Sequence, residues 1–246
     1  HEKAFLTHEQ LQRFLRAVRW DFGKAVQRTE ETVVWRREFD VEGILNGRVD
    51  VEEESKSGKQ VVVGYDCDGK PCLYMSPWRQ NTKPSMNQIY FVVWSLEIAI
   101  DLMPPGVEKL CLLIDFGAKR TGNNSQPTSV STGRSVLHIL QTYYCERLGR
   151  AICVDPPTIF WAFYKLVQPF IDPVTKDKVR FSPTDEELRA IIPGEQLDKE
   201  AFGGDLNFKY DHQAYWPVIS SIAKERRAAR LARWHELADG KVGVSE

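Results

Sequence analysis

No CxxC, HExxH, GxSxG or GxGxxG motif occurs in these 246 residues. That absence removes the usual zinc-site, serine-hydrolase and dinucleotide-binding readings. Cysteine is scarce and odd in number: Cys67, Cys72, Cys111, Cys145 and Cys153. Three of them (Cys111, Cys145, Cys153) sit in apolar or helical runs, which predicts reduced core thiols in a cytosolic protein rather than a disulfide framework. Histidine is limited to His1, His8, His138, His212 and His235, too scattered for a metal site. No carboxylate pair stands at a spacing that singles it out for acid–base work, so nothing demands an enzyme or a cofactor. Neither charge sign dominates: 33 Lys and Arg face 34 Asp and Glu, and a net charge of -1 supplies no global field for nucleic acid. A long hydrophobic run is also missing. The densest stretch, Ile159 to Ile171, is interrupted by Lys165, Gln168 and Pro169 and falls short of the ~20 residues that a membrane span needs. The first twenty residues hold three Arg and one Lys without an apolar core, so no signal peptide is read there.

What is present suits a folded α/β chain. Hydrophobic residues make up 42% and charged residues 27%, and a chain of this length buries roughly 70% of its unfolded surface without a staple. Leu11, Phe14, Leu15, Val18 and Phe22 to Trp35 recur at spacings of three and four, which predicts two helices, Glu9 to Arg19 and Lys24 to Phe39, with Asp21 capping the second. Gly43 to Gln60, with the acidic run Glu52-Glu53-Glu54, reads as a linker. Val61 to Val63 and Cys72 to Met75 flank Asp68-Gly69, a hairpin signal. Ser85 and Gln88 form a capping-box pattern before an apolar helix from Met86 to Met103, which Pro104-Pro105-Gly106 ends. Leu110 to Phe116 reads as a buried strand, Gly117 to Thr132 as a long loop, and Arg134 to Leu148 as a helix with Gly149 as its left-handed cap. Ala151 to Val154 is a further strand, Pro156-Pro157 opens an apolar helix to Phe170, Lys178 to Phe181 is a strand, and Ser182-Pro183 with Asp185 starts another helix. Alternating strands and helices predict a largely parallel sheet. The divisions expected are a helical domain over 1–45, an α/β domain over 46–220 and a basic helix over 221–246.

Three features compete for a functional reading. Gly64 and Gly69-Lys70 reproduce most of a GxxxxGK phosphate loop, yet Pro71 occupies the metal-ligating position and Asp66 and Asp68 repel phosphate, so a hairpin turn is the better reading. Between Ile159 and Ile171, ten of thirteen residues are apolar, so this helix is hydrophobic on every face. Composition alone slightly favours a central core helix; the alternative is a helix that meets lipid. Lys224, Arg226, Arg227, Arg230 and Arg233 form a basic stripe, read first as a solvated helix face and second as an attraction to anionic membrane. His138 reads as an ordinary hydrogen-bonded histidine.

The runs Leu137-His138-Ile139-Leu140-Gln141-Thr142-Tyr143-Tyr144-Cys145-Glu146-Arg147-Leu148-Gly149-Arg150, Pro169-Phe170-Ile171-Asp172-Pro173-Val174-Thr175-Lys176-Asp177-Lys178 and Phe202-Gly203-Gly204-Asp205 resemble the CRAL-TRIO lipid-binding domain. Leu11 to Ala17, Trp20-Asp21, Lys24-Ala25 and Trp35-Arg36 resemble the small helical domain that precedes it, and Gly64-Tyr65-Asp66, Asp68-Gly69 and Pro71 its hairpin. Gly203 to His212 with Tyr215-Trp216-Pro217 is most similar to the fungal branch linked to azole susceptibility.

The resemblance implies a mostly parallel sheet flooring a pocket for one lipid, closed by a gate helix that matches Ile159 to Ile171 and includes Phe160, Trp161, Phe163, Tyr164, Leu166, Val167 and Phe170. It places an inositol phosphate head group against Glu146, Thr175 and Lys178. The chemistry fits, because a buried phosphate needs donors and positive charge while Glu146 accepts from inositol hydroxyls. Val18 stands where the yeast-type proteins carry an additional Arg, and Gly117 to Ser131 does not resemble the stretch used by phosphatidylcholine-binding members. The implied activity is noncatalytic transfer of phosphatidylinositol, and of a sterol as second ligand, between membranes by a cytoplasmic protein that touches them transiently. The alternative is a sensor that presents its lipid to a lipid kinase.

Overall fold

The computed structural model describes residues 1–117, 130–171, 173–238 and 240–245. The two N-terminal helices form where the periodicity predicts them, as α2 (His8–Ala17) and α3 (Phe22–Glu38) after a short α1 (Glu2–Phe5). The Asp21 carboxylate accepts from the Lys24 backbone N–H at 3.1 Å and so starts α3. The stretch read as a linker is folded instead. It carries α4 (Val41–Leu45) and α5 (Glu52–Ser55), and Glu54 and Lys59 are buried as an ion pair, with the Thr82 hydroxyl donating to Glu54 at 2.8 Å. Two opposite charges five residues apart satisfied each other out of water, which composition alone does not reveal.

Five strands follow: β1 (Gln60–Tyr65), β2 (Pro71–Met75), β3 (Leu110–Asp115), β4 (Leu148–Val154) and β5 (Val179–Phe181). They lie side by side in sequence order, β1 and β2 antiparallel and the rest parallel. The hairpin turn is built on Asp66, whose Oδ1 accepts from the backbone N–H groups of Asp68 and Lys70 at 2.9 Å each, with Gly69 at a φ of 75°. Lys70 pairs with Asp66 and Asp68, so the phosphate-loop lookalike has its cation neutralised by its own acids. The edge strand β1 is closed off by Tyr215. Its hydroxyl accepts from the Val62 N–H at 2.7 Å and donates to the Val62 carbonyl at 3.1 Å, leaving that stretch no free edge.

Sequential order among parallel strands has a consequence for layering. Right-handed crossovers that always step in the same direction put their helices on one face of the sheet. Those crossovers are α6 (Met86–Asp101), α7 (Val130–Thr142) and α8 (Thr158–Val167). A short α9 (Pro173–Asp177) leads into β5, and the opposite face is covered by the chain after β5, which includes α10 (Asp185–Arg189) and α11 (Lys199–Phe202). There Leu188, Ile192, Leu197 and Phe202 close over Val61, Cys72, Tyr74, Cys111, Leu113 and Ile152. The long C-terminal helix α12 (His212–Ala238) returns to α6, where Trp216 stacks on Trp94 at 4.3 Å and Ile219 and Ala223 are buried.

The central core helix is α6, with ten of its sixteen residues buried, including Phe91, Val93 and Ala99 at 0% exposure. Each large side chain of this kind stabilises by about 1.5–3 kcal/mol. Its predicted capping box does not form. Ser85 makes no side-chain cap, and Gln88 turns to the Thr82 and Lys83 carbonyls. The helix before β4 also ends early, at Thr142, and Gly149 lies inside β4 rather than capping a helix. A Cβ there would stand 3.0 Å from the Leu110 carbonyl oxygen, so this glycine serves strand approach. The predicted loop over Gly117 to Thr132 falls mostly outside the described residues, and α7 already begins at Val130.

Candidate functional site

The central strand supplies the first clue. On β3, Cys111 and Leu113 face the C-terminal layer and are 0% exposed. Leu112 and Ile114 alternate onto the crossover face and are only partly buried, although strands flank β3 on both sides. Their register partners Met75 on β2 and, beyond Ala151 and Cys153 of β4, Val179 and Phe181 on β5 are likewise partly buried. On the face that carries α6, α7 and α8 the apolar floor is therefore buried at Leu73, Ala151 and Cys153 and only partly covered at Met75, Leu112, Ile114, Val179 and Phe181.

Over the finishing ends of those strands lies α8. Phe160 meets Phe116, just past β3, with ring centroids 4.4 Å apart. Trp161 and Tyr164 each stand 5.0 Å from Phe181 at the end of β5. None of the described side chains of α8 is buried; Trp161 is 39% and Leu166 49% exposed. Among the described side chains the buried apolar helix is α6, and those of α8 form a cluster of rings at the surface. The side chains of Ile159, Phe163, Val167 and Phe170 lie outside the described residues.

The predicted head-group residues stand on the segments that lead into β4 and β5. Glu146 sits in the turn before β4, in a left-handed conformation with φ of 60°, and its Oε2 is 3.8 Å from Lys109 Nζ at the start of β3. Lys178 immediately precedes β5 and is partly buried, and its carbonyl accepts from the Ala151 N–H at 2.9 Å. Thr175 lies in α9, which feeds directly into Lys178; its side chain is outside the described residues. All three positions therefore precede β4 or β5, but at different heights: Val179 pairs with Ala151, so Lys178 enters beside the middle of β4, roughly 13 Å along the strands from Glu146 and roughly 10 Å from Phe181 and the α8 rings.

The turn bearing Glu146 is held from several sides by residues that the sequence pattern did not single out. Tyr143 stacks on Trp35 of α3 at 4.2 Å and 6°. The Tyr144 hydroxyl donates to Glu97 Oε1 at 2.6 Å, and Arg36 NH1 donates to the same oxygen at 2.6 Å. Arg147 donates to the Glu108 carbonyl at 3.1 Å and to Gln10 at 3.4 Å. Glu146 and Arg147 thus find separate neighbours rather than each other. Burial works to raise the Glu97 carboxyl, but the Arg36 charge with hydrogen bonds from Arg36 and Tyr144 outweighs it and holds the group below the usual range. One turn further along α6, Asp101 receives Arg227 and Arg230 of α12. Those two arginines are the inner part of the basic stripe, so the stripe is not simply a solvated face. The available signal was the pair Glu97 and Asp101, the only charges in an otherwise uncharged helix.

These paired charges border a crevice of about 140 Å³ between α1, α6 and α12. Its lining sets these charges among Phe5, Leu45, Ile100, Leu231 and Trp234. Among the described residues no group of three or more His, Cys, Asp or Glu is placed to hold a metal ion. No helix among them is long and apolar enough to cross a membrane.

Comparison with known proteins agrees with this architecture. Residues 55–204 match the CRAL/TRIO domain and residues 1–31 the CRAL/TRIO N-terminal domain. A CRAL-TRIO domain-containing protein of Schizosaccharomyces pombe is 50% identical over the whole chain, which spans 23% of that protein. The phosphatidylinositol transfer protein PDR17 of Saccharomyces cerevisiae is 36% identical, with all of this chain and 71% of that one aligned. The crystal structure of Sfh5 superposes with a TM-score of 0.62 at 17% identity, over 83% of this chain and 73% of the other, which speaks to the fold alone. A two-part family match in the right order, an apolar sheet face partly covered beneath a surface helix and an alignment to PDR17 over all of this chain lead to one conclusion: this chain belongs to the CRAL/TRIO family.

Proposed function

We propose that this chain is a noncatalytic lipid-transfer module that encloses one phosphatidylinositol, and alternatively one sterol, between the crossover face of the sheet and α8, and exchanges it at membranes. The observation that carries this reading is the partly buried floor of Leu112 and Ile114 on the central strand beneath a helix without a buried described side chain. A finished core would have covered both. In this reading the polar head lies where the chain enters β4 and β5, near Glu146, Thr175 and Lys178, with the acyl chains beneath α8. Lys178 supplies positive charge for the phosphate, Thr175 a donor, and Glu146 accepts from inositol hydroxyls. The 36% identity to a protein named as a phosphatidylinositol transfer protein supports the same ligand. Aromatic rings at Phe116, Phe160 and Phe181 suit the flat faces of a sterol. The chain acts from the cytoplasm, touching membranes only during exchange.

The test is vesicle-to-vesicle transfer by a Glu146→Ala, Lys178→Ala variant. Each charge-assisted hydrogen bond lost costs about 1.5–3 kcal/mol, so phosphatidylinositol transfer falls at least tenfold to a hundredfold while sterol transfer and the melting temperature hold. Undiminished phosphatidylinositol transfer removes the head-group assignment. Binding of the lipid without any transfer favours the presenting sensor instead.

A further inference from the structure

The turn joining α2 to α3 carries a feature that lipid exchange through α8 does not use. Six consecutive residues, Arg19 to Lys24, are exposed, and two are large aromatics: Trp20 is 63% and Phe22 75% exposed. Val26, one helical turn beyond Phe22, is 41% exposed and extends the same apolar patch.

The backbone beneath this patch is strained. Trp20 N–H bonds the Leu15 carbonyl at 2.8 Å and Arg19 N–H the Arg16 carbonyl at 3.1 Å, the pattern of a helix end that normally places glycine in the left-handed position. Here Arg19 and Trp20 adopt φ of 55° and 65°. Left-handed conformations are disfavoured for residues with a Cβ. In this motif the residue at Trp20 usually packs back on the helix, yet it faces water.

The charges around the patch say what it meets. From Arg13 to Arg28 the chain has five cations and a single acid, Asp21, in a protein whose net charge is -1. Asp21 is occupied: it caps α3 and pairs with Lys24 at 3.0 Å. Arg13 and Arg16 share Glu108 as a partner, whereas Arg19 makes no ion pair with any described residue. Exposed Trp and Phe beside an Arg without an acidic partner among the described residues is the composition of a membrane-interface anchor, in which rings enter the head-group layer and cations meet anionic lipid.

We propose that the Arg19–Lys24 turn is a second membrane contact, selective for an anionic lipid surface and separate from α8. It rests on the reading of this chain as one that visits membranes. Through Arg13 to Glu108 and Gln10 to Arg147, α2 is docked at the starting ends of β3 and β4, while α8 sits at the finishing ends. The turn contributes membrane residence, and α8 contributes exchange.

The experiment compares co-sedimentation of the whole chain with phosphatidylcholine vesicles, with and without phosphatidylserine, for wild type, a Trp20→Ser, Phe22→Ser variant and Arg19→Gly. Native mass spectrometry of the bound lipid is run in parallel, so a failure of lipid loading is seen separately from a failure of vesicle binding. The double variant is expected to melt normally, load lipid normally and bind phosphatidylserine vesicles at least tenfold more weakly. Arg19→Gly is expected to separate stability from binding: relief of the left-handed strain raises Tm by about 2 °C, while binding to phosphatidylserine vesicles falls and becomes less sensitive to salt. Unchanged vesicle binding by the double variant overturns the proposal. So does an Arg19→Gly loss of equal size on vesicles lacking phosphatidylserine. Self-association of the wild type without vesicles, abolished in the double variant, assigns the surface to a second copy of the chain and overturns it as well.

Discussion

Leu166 offers the cleanest separation of a mobile cover from a structural helix. It lies in α8, is 49% exposed, and takes part in none of the ring contacts that hold Phe160, Trp161 and Tyr164 near Phe181. A charge placed there stays in water while the helix is closed, so Leu166→Asp changes folding stability by no more than about 0.5 kcal/mol. Exchange makes a different demand, because α8 must leave the strand ends and lie against the bilayer. A carboxylate carried into hydrocarbon raises the energy of that state by roughly 2–4 kcal/mol, which corresponds to transfer slowed by about 30-fold to 1000-fold. Partial immersion at the head-group level moves the effect toward the lower figure. The assay is transfer of a fluorescent phosphatidylinositol between vesicles, read beside thermal melting and native mass spectrometry of the loaded protein. The expected variant melts like wild type, holds its lipid and transfers it slowly. Wild-type transfer rates refute the reasoning, and a large loss of Tm refutes it too, since that outcome requires a buried side chain at a position observed to be half exposed.

Two further outcomes follow from buried titratable groups. Burial works against ionisation of Glu97 and Glu108, but Arg36 and Tyr144 at the first, and Arg13 and Arg16 at the second, hold both below the ordinary value of 4.5; their stabilisation is therefore present above that pH and lost as pH falls through the depressed values, so Tm drops steeply in acid and Glu97→Gln flattens part of that slope. Burial pushes Cys153 up to about 12 and Cys145 upward, and contact with Cys111 followed by burial raises Cys72, whereas Cys67 is exposed; iodoacetamide at neutral pH should therefore label Cys67 alone in the native protein, and labelling of a second cysteine without denaturant contradicts the structure.

The elements legible in the sequence were those governed by local chemistry. Asp21 before Phe22-Gly23-Lys24 marked the start of α3 because a cap needs only a carboxylate and an N–H three residues on. Asp68-Gly69 marked the hairpin because a turn needs a residue that tolerates positive φ. The failures were questions of tertiary pairing. The acidic run ending at Glu54 resembled a solvated linker until Lys59 and Thr82 buried it. Gly149 resembled a helix cap until the neighbouring strand came within reach of its α-carbon, and the left-handed residue proved to be Glu146. Apolarity marked both α6 and the segment after Pro157 as buried, and only the crossover geometry separates a helix flanked by α12 and the sheet from one perched on strand ends. At the candidate site, Glu146, Thr175 and Lys178 were legible through a family pattern, not through spacing. The support beneath them, Glu97 with Arg36 and Tyr144, joins positions far apart in the chain and carries no local signature.

The layering also bears on why transfer would take the form of exchange. A sheet whose crossovers all lie on one face has two unequal sides. The C-terminal layer closes one side dry, with Ile192 and Leu197 at 0% exposure. The other side is unfinished over Leu112 and Ile114, and under the proposed function a lipid completes it. Each methylene that moves from water onto that floor contributes about 0.8 kcal/mol, so even ten such groups contribute roughly 8 kcal/mol, an amount comparable with the whole stability of a domain. Release of the lipid into water is therefore not an accessible step for a folded protein. The old lipid must pass into a bilayer while α8 is displaced onto it, and a new one must enter before the helix returns. Under that function the surface rings among the described side chains of α8 lower the cost of displacement, and the proposed contacts of Glu146, Thr175 and Lys178 select which lipid returns.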